Sequence, residues 1–153
     1  MAGQFCWPSP GKSYWPLTVR NLDRSLEFYR GVFEFAESAR EGPVAALMIN
    51  ETDRRQVLVL REVPDRAPHH GRMVIGPRLF ALEAGSLDEL HIIEERLVAR
   101  RALLSRGRTE TYEAIVGVDP DRIEVSIAAS LTGSVIRSED WHHLDDMVYR
   151  IAE

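Results

Sequence analysis

The apolar pattern between Tyr14 and Phe35 changes period once. Tyr14, Trp15, Leu17, Thr18 and Val19 form a short run of residues that favour an extended, pleated backbone. Beyond Asn21, the residues Leu22, Leu26, Tyr29 and Phe33 recur at spacings of four, three and four, which is the apolar stripe of an amphipathic helix. Asn21 or Asp23 is suited to cap that helix, since a short side-chain oxygen accepts a hydrogen bond from an unpaired first-turn N–H. The stretch therefore predicts strand, turn and helix.

The same grammar returns at Leu79–Leu97. A strand-like run leads to Ser86-Leu87-Asp88-Glu89, the pattern of a capping box in which Ser86 and Glu89 each bond the other's backbone N–H. Leu90, Ile93 and Leu97 supply the stripe of this second helix. Placing Asn21 on Ser86 gives an offset of 65 residues (86 − 21), which also matches Leu22-Asp23 with Leu87-Asp88 and sets Leu58-Val59 against Ile123-Glu124. The chain reads as an internal duplication of one supersecondary unit.

Residues 1–12 are rich in Pro and Gly and read as an arm. Three strands are expected after the first helix, at Phe33–Arg40, Val44–Asn50 and Gln56–Val63, with turns at Gly42-Pro43 and Asn50–Arg55. A Pro-, Gly- and His-rich linker follows at 64–77. The second unit repeats the order: strand Leu79–Ala84, helix Leu87–Arg101, then strands near Leu103–Arg106, Thr111–Val118 and Arg122–Ala128. Asp119-Pro120-Asp121 is a turn in which proline presets φ and the aspartates bond nearby backbone. Trp141, Leu144, Met147, Val148 and Ile151 stripe a tail helix over 138–152, suited to packing or to a dimer seam.

Totals narrow the function classes. At 153 residues, 44% hydrophobic and 28% charged, the chain has ordinary globular composition and length for one domain with a real core. A net charge of −5 gives no basic footprint for nucleic acid. Cys6 is the only cysteine, which excludes an intrachain disulfide and a thiolate metal cluster. Neither a membrane-spanning run nor a basic-then-apolar leader pattern is present, so a cytoplasmic protein is expected. Gly-rich phosphate loops and nucleophile elbows are absent too.

Two βαβββ units headed by "LTVRNLDRSLEFYR" and closed by "DPDRIEV" resemble the vicinal oxygen chelate superfamily, over roughly residues 13–129. That group includes glyoxalase I, extradiol dioxygenases, fosfomycin-modifying enzymes and bleomycin-binding proteins. The resemblance implies an α+β fold in which two modules, about 13–63 and 78–129, form a cupped mixed sheet around a cavity, with the tail helix added. It also implies a homodimer. Metal-dependent members carry His, Glu or Gln on the first and last strands of each unit. Carried onto this chain, those positions are Tyr14, Val59, Leu79 and Glu124. Valine and leucine offer no donor atom, so the family's metal site is expected to be absent and no cofactor is implied.

The expected function is thus binding of a small apolar or aromatic metabolite in the cup. Tyr14, Val59, Arg61, Leu79, Glu83 and Glu124 are its candidate lining. Glu124 reads either as a cavity carboxylate available for acid–base work or as the partner of an arginine such as Arg61. Tyr14 reads as a packed aromatic or as a proton donor beside Glu124. Glu83 shares the parity of Leu79 yet suits a solvated strand end. A metal-free isomerase, cyclase or lyase using Glu124 and Tyr14 is one alternative. Another is a dioxygenase or lyase that recruits a metal through His69, His70 or the tail residues His142 and His143. Neighbours on a helix point about 100° apart, so His142 and His143 do not readily share one ion. His91 is expected at the surface of the second helix.

Overall fold

The computed structural model describes residues 13–49, 56–63 and 79–134. The chain divides into two compact units, Met1–His69 and His70–Glu153. The arm, the 50–55 turn, the whole 64–77 linker with His69 and His70, and the expected tail helix with His142 and His143 lie outside the described residues.

The first unit runs β1 (Ser13–Val19), α1 (Leu22–Phe33), β2 (Ala36–Glu41), β3 (Val44–Met48) and β4 (Gln56–Glu62). Its sheet has the order β1-β4-β3-β2, parallel between β1 and β4 and antiparallel elsewhere. The second unit repeats this with β5 (Leu79–Glu83), α2 (Leu87–Ala99), β6 (Leu103–Arg108), β7 (Tyr112–Val118) and β8 (Glu124–Ser130), in the order β5-β8-β7-β6. Two βαβββ modules with mixed four-stranded sheets make the fold α+β.

Local chemistry sets the helix ends. Asn21 Oδ1 accepts from Arg24 N at 2.9 Å, so Asn21 is the cap, while Asp23 pairs with Arg40 at 2.8 Å. Glu62 adds a longer-range cap, accepting from Leu22 N at 2.7 Å. At α2, Ser86 Oγ accepts from Glu89 N at 3.1 Å, but Glu89 Oε2 reaches Gly85 N at 2.8 Å instead of Ser86 N. The reciprocal box is therefore shifted one residue back. The buried face of α1 is wider than the expected stripe: Ser25, Phe28 and Val32 join Leu22, Leu26 and Tyr29, and Phe33 stays half-buried.

Strand starts differ where backbone turns consume residues. α1 runs through Phe33 and ends on Glu34 in the left-handed region (φ 59°), so β2 starts at Ala36 and not at Phe33. α2 stops at Ala99, two residues early, with Arg101 left-handed (φ 56°) and Ala102 N bonded to Leu97 O at 2.8 Å. β8 starts at Glu124 because Asp119 holds the preceding turn. Its buried Oδ1 accepts from Asp121 N and Ile123 N, both at 2.8 Å, and Arg122 takes φ 65°.

The duplication extends to an irregularity. The β2–β3 ladder slips at Ser38 and the β6–β7 ladder slips at Leu104, each by one residue. The offset of 65 holds through the first strand and helix but not to the last strand. Tyr14 pairs with Val57, whereas its counterpart Leu79 pairs with Glu124, an offset of 67 (124 − 57). Val57, not Val59, is therefore the register equivalent of Glu124. Connections of different length separate the middle strands of the two copies, and no single offset survives them.

Candidate binding face on the second sheet

Which side chains face away from the helix follows from three contacts. α2 packs on β6, β7 and β8. A Cβ on Gly117 would lie 2.8 Å from both Leu97 methyls, and the Glu113 carboxylate contacts His91 of α2. Odd-numbered β7 residues therefore face the helix, and Ala114, Val116 and Val118 face away from it. Cross-strand partners share a face. Ala128 therefore joins Ala114, Ser126 joins Val116, and Glu124 joins Val118.

On β6 the slip at Leu104 sets Ser105 opposite Val116 as well. One row thus crosses three strands as Ser105, Val116, Ser126. Ser126 is 1% exposed, and neither its Oγ nor the buried Oγ of Ser105 has a hydrogen-bond partner. Two bare hydroxyls flanking a valine are costly, because each forfeits its water without recovering a bond. Ala114 and Ala128, both fully buried, make the adjoining floor apolar, and half-buried Glu124 stands at the start of β8.

The expected site residues fall as follows. Glu124 and Leu79 are brought together as Cα partners on β8 and β5. Glu83 pairs with Ala128 and is exposed, in keeping with a solvated strand end. Tyr14, Val59 and Arg61 belong to the first sheet. There Val59 is buried with Val57 and Ala46 in one cluster, and Arg61 is exposed opposite Thr18 and Val44. Corrected for register, the ligand positions that the resemblance implied become Tyr14, Val57, Leu79 and Glu124. One phenol and one carboxylate do not fit a site that needs three or more protein donors.

Sequence reasoning missed both serines. Ser126 was accessible by parity, two residues beyond Glu124 on the same strand. Ser105 carries no such signal, because the slip at Leu104 reverses its alternation. His91 is half exposed as expected, yet its Nε2 sits 3.3 Å from Glu113 Oε1.

A repeated βαβββ module with an apolar sheet face turned away from its own helix defines the class. Residues 13–127 match the family model described as "Glyoxalase/Bleomycin resistance protein/Dioxygenase superfamily". The chain belongs to that superfamily. It is 32% identical over 108 residues to catechol-2,3-dioxygenase of Bacillus subtilis (strain 168), covering 71% of this chain but only 37% of that protein. The chain thus spans about a third of the length of that curated relative. Among solved structures, a glyoxylase/bleomycin resistance protein/dioxygenase domain from Frankia sp. EAN1pec superposes with TM-score 0.69 at 22% identity, covering 81% of this chain and 94% of that one. Lactoylglutathione lyase from Agrobacterium tumefaciens gives TM-score 0.59 at 20% identity, covering 80% and 96%. These structures share the fold.

Proposed function

We propose that the protein binds a small, largely apolar or aromatic metabolite against the face of the second sheet turned away from α2, without the superfamily's usual metal site. The observation that carries this reading is the Ser105–Val116–Ser126 row, with its two buried, unpaired hydroxyls on an alanine- and valine-lined surface. Strands lie about 4.8 Å apart, so hydroxyls two strands apart are separated by roughly 10 Å. That is the span of a one-ring metabolite with polar groups at both ends. The missing donors at Val57 and Leu79 support recognition by shape and hydrogen bonding over metal coordination.

Thermal-shift and calorimetric titration of chelator-treated protein tests the reading. The titrants are monocyclic aromatic metabolites, with catechol included because of the name of the curated relative. At least one member should raise the melting temperature, and Ser126→Ala should weaken it. A shift that appears only after a divalent metal is restored would sink the metal-free reading.

The second reading is a metal-free isomerase, cyclase or lyase, favoured by the placing of half-buried Glu124 on the face that carries Ser126. Here Glu124 moves the proton. Glu124→Gln would then abolish turnover of a bound metabolite and leave its affinity nearly intact. Equal turnover in both proteins excludes Glu124 as the proton carrier.

A further inference from the structure

On the opposite, helix-bearing side of the second sheet, three side chains that the proposed function does not use converge. His91 and Glu94 stand one turn apart on α2, at positions i and i+3 that share a helix face. Glu113 reaches them from β7. His91 Nε2 lies 3.3 Å from Glu113 Oε1, and one ligand atom from each of the three residues falls within 4.8 Å of the others. Glu113 is 5% exposed and its Oε2 has no hydrogen-bond partner.

A carboxylate buried this far needs a cation. Arg106 meets the need poorly. One guanidinium nitrogen is shared between Glu94 at 3.2 Å and Glu113 Oε1 at 3.4 Å, and the arginine side chain is 60% exposed. Charge-assisted bonds run at about 2.7–2.9 Å, so both contacts are long, and Glu113 Oε2 receives nothing. The donor spacing suits something smaller. A tetrahedral ion with bonds of about 2.0–2.1 Å holds neighbouring ligand atoms roughly 3.3 Å apart, the separation already present between His91 and Glu113. A groove of about 500 Å³, lined by His91, Glu94, Val98 and Arg106 among others, gives an ion and its water ligand a way in.

We infer that His91, Glu94 and Glu113 form a divalent transition-metal site of the zinc type, tying α2 to β7. One imidazole with two carboxylates suits zinc or cobalt better than magnesium or calcium, which take oxygen donors. Arg106 is the counter-ion of the metal-free state and turns to solvent when the metal enters. The site stabilises the module in proportion to the logarithm of free metal, because only the folded chain brings the three donors together. It stands apart from the small-molecule face, from which it is separated by the sheet.

The test is cobalt(II) titration of the chelator-treated full chain, read by visible absorption, with zinc as competitor. One saturating equivalent is expected, displaced by zinc, together with a metal-dependent rise in melting temperature. His91→Ala and Glu94→Gln, both at partly exposed positions, should each weaken binding at least as much as the roughly 10–100-fold that loss of an outer partner costs. Arg106→Gln should keep or tighten it. An absent saturable band, or binding of unchanged affinity in His91→Ala, overturns the inference. The second outcome would mean that His91 is not a ligand. Retention of the metabolite-induced shift in His91→Ala keeps this result separate from the proposed function.

Discussion

Replacing Ser126 by alanine should stabilise the empty protein and weaken the loaded one. The hydroxyl is 1% exposed and unpartnered, so the folded state carries the desolvation cost of a polar group that gains no bond. That cost is about 1–3 kcal/mol, and the substitution removes it while deleting a single heavy atom from the packing. Allowing a few tenths for the small void, the net gain is about 0.5–2 kcal/mol. For a chain of 153 residues each kcal/mol moves the melting temperature by roughly 2–4 °C, so a rise of about 1–8 °C is expected without ligand. Ser105→Ala should act alike. The two sites stand two strands apart, so the double variant should be additive within about 0.5 kcal/mol. Scanning calorimetry with and without a bound aromatic metabolite reads both signs at once. A lower melting temperature for the empty Ser126→Ala protein would refute the reasoning, since it would mean that the hydroxyl has a partner in solution.

Gly117→Ala should destabilise by about 1–3 kcal/mol, because the added Cβ would stand 2.8 Å from the Leu97 methyls and 3.3 Å from the Ala102 carbonyl oxygen. Chemical denaturation of Gly117→Ala combined with Leu97→Ala should show a cost well below the sum of the two single changes, since the smaller side chain vacates the clash. Glu34→Gly should stabilise by about 0.5–1 kcal/mol, because relief of the left-handed backbone outweighs the extra entropy of the unfolded glycine. A thermal melt that falls by several degrees would show that the Glu34 side chain contributes something the backbone argument omits.

Much of the module plan was written in short-range chemistry. Asn21 and Ser86 open helices because capping needs only a few consecutive residues. Asp119 holds its turn through bonds to the backbone two and four residues ahead. The repeat was legible for the same reason: strand, cap and stripe recur in the same order within windows of about twenty residues. Sequence also settled that Val57, Val59 and Leu79 offer no metal donor, since that depends on side-chain composition alone.

Tertiary structure decided what depends on ladder register. Side chains alternate with period two, so a single extra residue moves a strand's later residues to the other face. The slip at Leu104 therefore placed Ser105 beside Val116, and unequal connections placed Val57 where the constant offset had put Val59. His91 and Glu113 lie 22 residues apart, and only the packing of α2 on β7 brings their polar atoms to 3.3 Å. Capping and turn bonds form within a few residues of chain and can be read from it. A face shared by separate strands exists only once every intervening loop has closed at its own length.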